Sequence, residues 1–498
     1  MNVNPITRLD YPDLDVIRVE DTYYMVSTTM HFMPGCEILQ SFDLVHWEHV
    51  TYVYETLDHT DAQQLKSGQN IYGQGMWAAS LRYHEGRFYI CFVANDTRKT
   101  YLYTSEKIDG PWKKQLIEGF YHDGSLLFDE DGRNYIVYGN DEIWITELNE
   151  DLTAPKKDGL HRLLVSDHKN PELGYEGSHI QKINGYYYIF LVHSLRERWM
   201  RTEACFYSDS LEGEFTGGDV LCDDRGYCGQ GVAQGGIVDT PDGKWYAMLF
   251  QDSGAVGRIP ILLPVIWKDH FPFFGQNGHV PEEIEVHSTR PGYIYQPLVG
   301  SDDFCNGLLP RWQFNHDPDP RYYHLDALQG TYTITTREVC TELTQAVNTL
   351  TQRMSYPSCA AEVTVDASAL KEGDVAGLCA LQSCYAAVGI TKHHGKYEVL
   401  MLDKKEDGIL DMTEGTVVES HQMDFRLEAD FCNMKDEARC YYRVNKGDWL
   451  PIGTVHKLYF KLDHFTGCRF GLFCYATEET GGSACFRDFK YYDVDEIS

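Results

Sequence analysis

The sequence lacks several features that would assign it to a membrane or secreted class of protein. It has no apolar run long enough to span a bilayer. Its N-terminus, Met1-Asn2-Val3-Asn4-Pro5-Ile6, lacks the basic segment and apolar stretch of a signal peptide. Its 15 cysteines include no CxxC pair, which favours free thiols in a reducing compartment over a disulfide framework. We therefore expect a cytoplasmic protein with no membrane partner.

Positive charge is also scarce. Only 43 Lys and Arg stand against 75 Asp and Glu, which gives a formal net charge of −32. Such a field repels polyanions and argues against a nucleic-acid partner, while a neutral substrate is unaffected. The 20 His form no HExxH motif or paired ligand spacing, so we expect no catalytic metal.

Amphipathic helical patterns are missing as well, and what the first 300 residues contain is a β repeat. An aromatic return strand follows a tight turn five times, at intervals of roughly 45–65 residues, which is close to the period of a propeller blade. A pair of β-sandwiches would not explain this repeat. We predict an all-β protein whose residues 1–300 form a five-bladed β-propeller. The five return strands contain Tyr23-Tyr24, Phe88-Tyr89, Tyr135, Tyr186-Tyr187-Tyr188 and Trp245-Tyr246.

The repeat ends near residue 300, after a segment that contains Pro281, Pro291 and Pro297. Alternating segments follow, and they predict a β-sandwich over residues 301–498. Three of them are Ala361–Val365, Tyr397–Leu402 and Leu458–Leu462.

Three acids precede apolar strands of the propeller repeat: Asp13, Asp123 and Glu176. They are predicted to occupy the same place in three blades, so they should meet at one end of the central channel. Closely spaced buried carboxylates separate their pKa values, which supplies the acid and the base that glycosidic-bond hydrolysis requires. The alternative for any single acid is a turn residue or a strand cap.

The motifs Tyr11-Pro12-Asp13, His122-Asp123-Gly124-Ser125 and Glu176-Gly177-Ser178-His179 resemble the three signatures of glycoside hydrolase family 43. The whole chain is similar to its two-domain β-xylosidases and α-L-arabinofuranosidases, which implies a five-bladed propeller followed by a concanavalin-like β-sandwich. By that resemblance Asp13 would be the general base that activates water and Glu176 the general acid. Asp123 would keep the acid protonated by its nearby charge, and the reaction would invert the anomeric centre.

The resemblance also suggests residues that bind substrate. Trp77 and Phe32 are candidate walls of the sugar pocket, although either ring could be ordinary core. Arg258 lies in an apolar strand, where a carboxylate or sugar hydroxyls must satisfy its charge; a structural ion pair is the alternative. Gln234 stands near the channel axis, where many members of the family carry a His that contacts a calcium ion through water. The sequence therefore leaves open whether a structural calcium ion binds there, and we expect that no cofactor is required.

We therefore predict an exo-acting, inverting glycosidase that removes xylose or arabinose from short xylan-derived oligosaccharides. One alternative is a non-catalytic carbohydrate-binding protein on the same scaffold, and another is a propeller glycoside phosphorylase. The second domain is expected to pack on the propeller and to close one wall of the pocket. A homo-oligomer is compatible with the sequence.

Overall fold

A computed structural model of the chain describes residues 2–413 and 415–493. Met1, Glu414 and residues 494–498, which the two predicted domain ranges include, lie outside this part of the chain. Regular structure in the described part is almost entirely β, and no helix there has the length and apolarity needed to cross a bilayer. Its helical segments are the 3-10 turns Lys66–Gly68, Gly254–Val256, Leu343–Gln345 and Cys432–Met434.

Five four-stranded antiparallel sheets confirm the predicted five-bladed propeller. The first strand of each sheet contacts the first strands of both neighbouring sheets, so these innermost strands close a ring around the axis. Blade I consists of Asp15–Val19, Thr22–Val26, Gly35–Ser41 and Glu48–Tyr54; blade II of Met76–His84, Arg87–Ala94, Lys99–Ser105 and Lys113–Ile117; blade III of Ser125–Phe128, Asn134–Asn140, Glu142–Leu148 and His161–Ser166; blade IV of Glu176–Ile183, Tyr186–Ser194, Arg201–Ser208 and Thr216–Leu221; and blade V of Val232–Asp239, Trp245–Asp252, Arg258–Lys268 and Phe271–Phe274.

An apolar cluster fills the space between each pair of neighbouring blades. The aromatic return strands that revealed the repeat supply these clusters: Tyr23, Tyr135 and Tyr188 are each at most 2% exposed. Large flat rings suit the widening gap between twisted sheets. The abundance of tyrosine therefore reflects blade packing in the first place.

The N-terminal segment closes the propeller. Strand Asn2–Val3 pairs with Glu283–Ile284, which follows blade V. The buried amide of Asn4 donates to the carbonyl oxygens of Leu262 at 2.7 Å and Pro281 at 3.0 Å, and its oxygen accepts from the Leu262 amide at 3.0 Å. The role of Asn4 is thus to lock the first residues onto the last blade.

Two further sheets form the predicted β-sandwich. Ala361–Val365 and Tyr397–Leu402 lie in strands as predicted, but the strand predicted at Leu458–Leu462 is wrong. That segment is a loop, with Leu458 buried and Leu462 76% exposed. The larger sheet has the order Leu410–Met412, Lys396–Lys404, Ala386–His393, Asp374–Leu381, Arg469–Ala476, Leu350–Arg353, Gln313–Asn315 and Phe32–Met33, with Thr416–Val418 also beside Lys396–Lys404; the smaller has the order Tyr323–Asp326, Thr331–Thr335, Ser483–Asp493, Ser358–Asp366, Gln422–Asp430, Glu437–Val444 and Leu450–Lys457.

The two domains are joined through a shared sheet and a buried ion pair. Strand Phe32–Met33, from the loop inside blade I, pairs with Gln313–Asn315 of the larger sheet. Arg353 Nη1 donates to Glu37 Oε2 at 2.8 Å, and both residues are less than 5% exposed. The second domain is therefore fixed against the face of the propeller that carries the acids.

Candidate active site

The innermost strand of every blade is preceded, or interrupted near its start, by one residue in the left-handed backbone region. These residues are Asp13, Ala78, Asp123, Gly177 and Gln234, with φ between 36° and 67°. All five line one narrow cavity on the axis. In blades II, IV and V a register shift marks the same point, where a bulge turns the chain toward the channel. The five positions form one structurally equivalent ring.

Glu176 does not belong to that ring, so the prediction that the three acids occupy the same place is wrong by one residue. Gly177 takes the equivalent position in blade IV because a Cβ there would lie 2.8 Å from the Cγ of Gln234. Glu176 comes one residue earlier, at the level of Trp77 and His122. Asp13 and Asp123 thus lie deeper on the axis, and Glu176 lies nearer the mouth.

Asp13 is held from two sides. Its Oδ2 accepts a hydrogen bond from Thr28 Oγ1 at 2.7 Å, and its Oδ1 accepts from Arg258 Nη1 at 3.0 Å. Arg258 is 2% exposed, so this ion pair balances a cation that would otherwise be buried alone. The carboxylate partner expected for Arg258 is therefore Asp13 itself.

Asp123, Glu176 and His122 form a second group. His122 Nε2 lies 3.5 Å from Asp123 Oδ2 and 3.6 Å from Glu176 Oε2. Glu176 also accepts from Asn140 Nδ2 at 2.8 Å, and Asp123 accepts from the Gly177 amide at 3.0 Å. Asn140 and the Gly177 backbone thus hold the two carboxyl groups beside the same imidazole.

Two members of this group, Asp123 and His122, have strongly perturbed pKa values. Burial raises the pKa of Asp123 to about 6; His122 opposes this shift, and Glu176 and Asp13 add to it. The carboxylate of Asp123 raises the pKa of His122 to about 9 against the opposing effect of burial. His122 therefore carries a proton beside Glu176 at neutral pH.

Aromatic rings from both domains flank the acids. Trp77 lies with its ring centroid 6.3 Å from that of His122 and 5.5 Å from that of Phe465. Phe465 comes from the loop that follows strand Leu450–Lys457 of the smaller sheet, and its ring lies 4.4 Å from the Arg258 guanidinium. The sandwich therefore contributes a side chain to the wall of the site.

Phe32 was predicted as a second wall, and the structure places it elsewhere. Its side chain is 0% exposed and packs with Leu343 and Tyr385 of the second domain, under the guanidinium of Arg469 at 3.5 Å. Pairing of Phe32–Met33 with the second domain's sheet turns the ring into the domain interface. Gln234, in contrast, lies on the axis as predicted and lines the same cavity as Asp13 and Asp123.

Below the ring of five equivalent residues, a network of hydrogen bonds between polar side chains closes the channel. Arg82 of blade II donates to Asp15 Oδ2 at 2.7 Å, to Ser125 Oγ at 2.7 Å and to the Leu126 carbonyl oxygen at 2.8 Å. His179 lies 3.2 Å from the other oxygen of Asp15. Blades I to IV thus meet around one guanidinium, and a ligand can reach the acids from one side only.

Comparison with known proteins decides the family. A family model described as "Glycosyl hydrolases family 43" matches residues 3–272, more than half of the 498 residues. The chain belongs to glycosyl hydrolase family 43. A second model, described as "Beta xylosidase C-terminal Concanavalin A-like domain", matches residues 301–492 and confirms the predicted concanavalin-like sandwich.

Relatives within family 43 align over nearly the whole chain. A β-xylosidase of Formosa agariphila is 26% identical over 559 residues, covering 99% of this chain and 89% of the relative. A xylosidase/arabinosidase of Butyrivibrio fibrisolvens is 23% identical, covering 99% of each. A solved structure described as bifunctional GH43-CE, from Bacteroides eggerthii, matches with a TM-score of 0.93 at 42% identity over all of this chain. This chain spans 64% of that structure's chain. These findings confirm the predicted glycosidase.

Sequence reasoning left three residues of this family 43 site without a role. His122 stood inside a quoted motif, and Phe465 reaches the site from a distant loop. Arg201, 7% exposed, lies beside the apolar run Ala204-Cys205-Phe206 and pairs with Asp252 at 2.8 Å. The argument that identified Arg258, a cation in an apolar strand, would have found Arg201 too.

Proposed function

We propose that the protein is an exo-acting glycosidase that removes xylose or arabinose from the ends of short xylan-derived oligosaccharides, with inversion at the anomeric carbon. The observation that carries this proposal is the meeting of Asp13, Asp123 and Glu176 at one end of a channel that Arg82 closes from below. A dead-end pocket accepts a terminal sugar. The names of the relatives, β-xylosidase and xylosidase/arabinosidase, support this substrate class.

The proposed roles follow from the contacts. Asp13, paired with Arg258 and Thr28, acts as the base that takes a proton from water. Glu176, nearer the mouth, acts as the acid that protonates the leaving oxygen. Inversion requires a gap of roughly 6.5–9.5 Å between base and acid so that water fits beside the sugar. Asp123 and His122 supply and hold the proton that Glu176 delivers.

An assay with nitrophenyl β-xyloside and nitrophenyl α-L-arabinofuranoside, followed by proton NMR, tests this function. The expected first product of the xyloside is α-xylose, which then mutarotates. First formation of β-xylose would exclude inversion, and no turnover of either glycoside would overturn the substrate class. Rates should not change when phosphate is removed, because both buried arginines near the acids, Arg258 and Arg201, are already paired with carboxylates. Dependence on phosphate would favour the phosphorylase alternative.

Replacement of Asp123 by Asn is expected to move the alkaline limb of the pH–rate profile to lower pH by about 1–2 units. The negative charge of Asp123 raises the pKa of His122 to about 9. Its loss lets the proton beside Glu176 dissociate at lower pH. The profile of kcat/KM on the nitrophenyl xyloside measures this.

A matched control is Asp129→Asn, since Asp129 directly follows the same innermost strand, Ser125–Phe128, at the end away from Asp123, and pairs there with Lys182. That variant should keep the wild-type profile. An unchanged alkaline limb in Asp123→Asn would remove Asp123 from its proposed role.

We also propose that turnover needs no divalent cation. The buried axial carboxylate, Asp15, already accepts from Arg82 and from the Leu81 amide at 2.8 Å. Although burial opposes ionisation, Arg82 lowers the pKa of Asp15 to about 2. Ca²⁺ takes about 6–8 oxygen ligands, usually with carboxylates among them, and these residues offer it a guanidinium instead. Dialysis against EDTA should leave kcat/KM unchanged; a loss that Ca²⁺ restores would contradict the proposal.

The predicted cytoplasmic location stays a proposal, supported by the free state of all 15 cysteines. The predicted homo-oligomer also stays a prediction, which light scattering on the purified protein decides.

A further inference from the structure

All nine tryptophans lie in the described part of the chain, and among them Trp199 alone is exposed, at 43%. It lies in the loop between the second and third strands of blade IV. The loop is held at its base: the Leu195 amide donates to the Met200 carbonyl oxygen at 3.1 Å, and the Met200 amide donates to Ser194 Oγ at 2.9 Å. A loop held at its base thus presents a large aromatic ring, with an apolar face and a polar N–H, to solvent, where it can contact a ligand.

The loop stands above the proposed acid. Glu176 pairs with Val192 on the adjacent strand, two residues before that strand ends at Ser194. Ser194 in turn pairs with Arg201 across the loop, and the Trp199 ring lies 5.4 Å from the Arg201 guanidinium. Trp199 therefore belongs to the part of the rim formed by blade IV, the blade that carries Glu176.

Arg201 links this ring to the reacting groups. Burial opposes its charge, but the carboxylates of Asp252, Glu176 and Asp13 raise its pKa. Its guanidinium is therefore within electrostatic reach of both the proposed acid and the proposed base. The guanidinium of the buried Arg201 thus lies 5.4 Å from the exposed Trp199 ring.

The other aromatic wall lies on a different part of the rim. Trp77 belongs to blade II and contacts Phe465 of the second domain. The terminal sugar must lie over Asp13 and Asp123, between Trp77 and Glu176. Since Glu176 protonates the oxygen that departs, the leaving sugar must extend from Glu176 toward the rim, where blade IV offers Trp199.

We propose that Trp199 is the stacking platform for the leaving-group sugar, so that the enzyme prefers substrates whose departing part is a neutral pyranose. This inference rests on the proposed function and adds to it a binding subsite for the second sugar of a xylo-oligosaccharide. The apolar face of the pyranose would lie on the indole, and Arg201 beneath the indole would keep the ring in place.

The experiment compares Trp199→Ala with the wild-type enzyme on xylobiose and on β-D-xylosyl fluoride. Both substrates place the same sugar over Asp13, but only xylobiose has a sugar to stack on Trp199. Loss of an aromatic contact worth about 0.5–1.5 kcal/mol lowers kcat/KM for xylobiose roughly two- to twelvefold. The value for the fluoride should not change, and Trp199→Phe should restore most of the loss.

The matched control is Trp449→Ala in the second domain, where an indole also stacks on an arginine, Arg443, at 4.2 Å. That variant should leave both substrates unaffected. Equal losses on xylobiose and fluoride in Trp199→Ala, or no loss on either, would overturn the subsite. A wild-type enzyme inactive on both substrates but active on nitrophenyl α-L-arabinofuranoside would overturn the subsite alone. Inactivity on all three would overturn the proposed function, and the subsite with it.

Discussion

Replacing Asp13 by Asn or Glu176 by Gln is expected to lower kcat on xylobiose by about 10²–10⁴-fold, the usual contribution of a positioned general base or acid. Both substitutions keep the shape of the side chain and remove its ability to accept or donate the transferred proton. Asn at position 13 retains an oxygen that can accept from Arg258 Nη1 or from Thr28. Both variants should keep the wild-type circular dichroism spectrum. Asp13→Asn should unfold at a lower temperature than Glu176→Gln, because it leaves the buried Arg258 without its counter-ion.

The two variants should differ when the leaving group departs without help. A fluoride or dinitrophenolate ion needs no proton, so Glu176→Gln should recover much of its activity on such xylosides. Asp13→Asn should stay inactive on every substrate, because the attacking water still needs its base. This contrast assigns base and acid independently of the fold, and the opposite contrast would exchange the two roles.

Glu203→Gln provides the matched control. Glu203 lies in blade IV, is 0% exposed, and its Oε2 accepts a hydrogen bond from the backbone N–H of Gln234 at 2.7 Å. Burial raises its pKa well above the ordinary value, so a neutral amide imitates its existing state. Activity of this variant should stay close to wild type. Activity of Glu176→Gln within a few-fold of wild type on xylobiose would contradict the proposed mechanism.

The propeller was predictable because the packing of its blades requires similar residues at regular intervals along the sequence. Every gap between blades needs large rings, so aromatic pairs recur after each turn, as at Tyr23 and Tyr135. The acids Asp13 and Asp123 were predictable for the same reason, since each precedes an innermost strand at the same distance. A local sequence pattern is enough to predict a feature that every blade needs for the same physical reason.

Contacts between distant segments were not predictable in this way. The one-residue offset of Glu176 depends on Gln234, which fills the space a side chain at Gly177 would need. Phe32 was misplaced because a short strand of the propeller pairs with a sheet that begins nearly 300 residues later. The loop at Leu458–Leu462 alternates like a strand, yet it crosses to the propeller and brings Phe465 to the acids.

Replacing Arg353 by Ala is expected to lower the free energy of unfolding by about 3–5 kcal/mol, since it leaves a buried carboxylate without its cation. Arg353 crosses the domain interface: it donates to Glu37 at 2.8 Å and to the Asp10 carbonyl oxygen at 3.0 Å. Urea unfolding at pH 7 measures the loss. Arg290→Ala breaks the exposed pair with Asp21 and should cost only about 0–1 kcal/mol.

The pH dependence of this loss identifies its cause. Burial opposes ionisation of Glu37, but Arg353 lowers the pKa of Glu37 from 4.5 to about 2. In the wild type the stabilisation by this carboxylate is therefore complete above pH 4.5 and is lost as the pH falls toward 2. Without Arg353 the pKa of Glu37 rises, so Glu37 takes up a proton more easily and its buried charge is neutralised. The difference in unfolding free energy between the wild type and Arg353→Ala should therefore become smaller as the pH falls. The double variant Arg353→Met with Glu37→Gln should recover much of the stability at pH 7. A deficit below 1 kcal/mol, or one that does not depend on pH, would show that the domains are held together by the shared sheet and apolar packing alone.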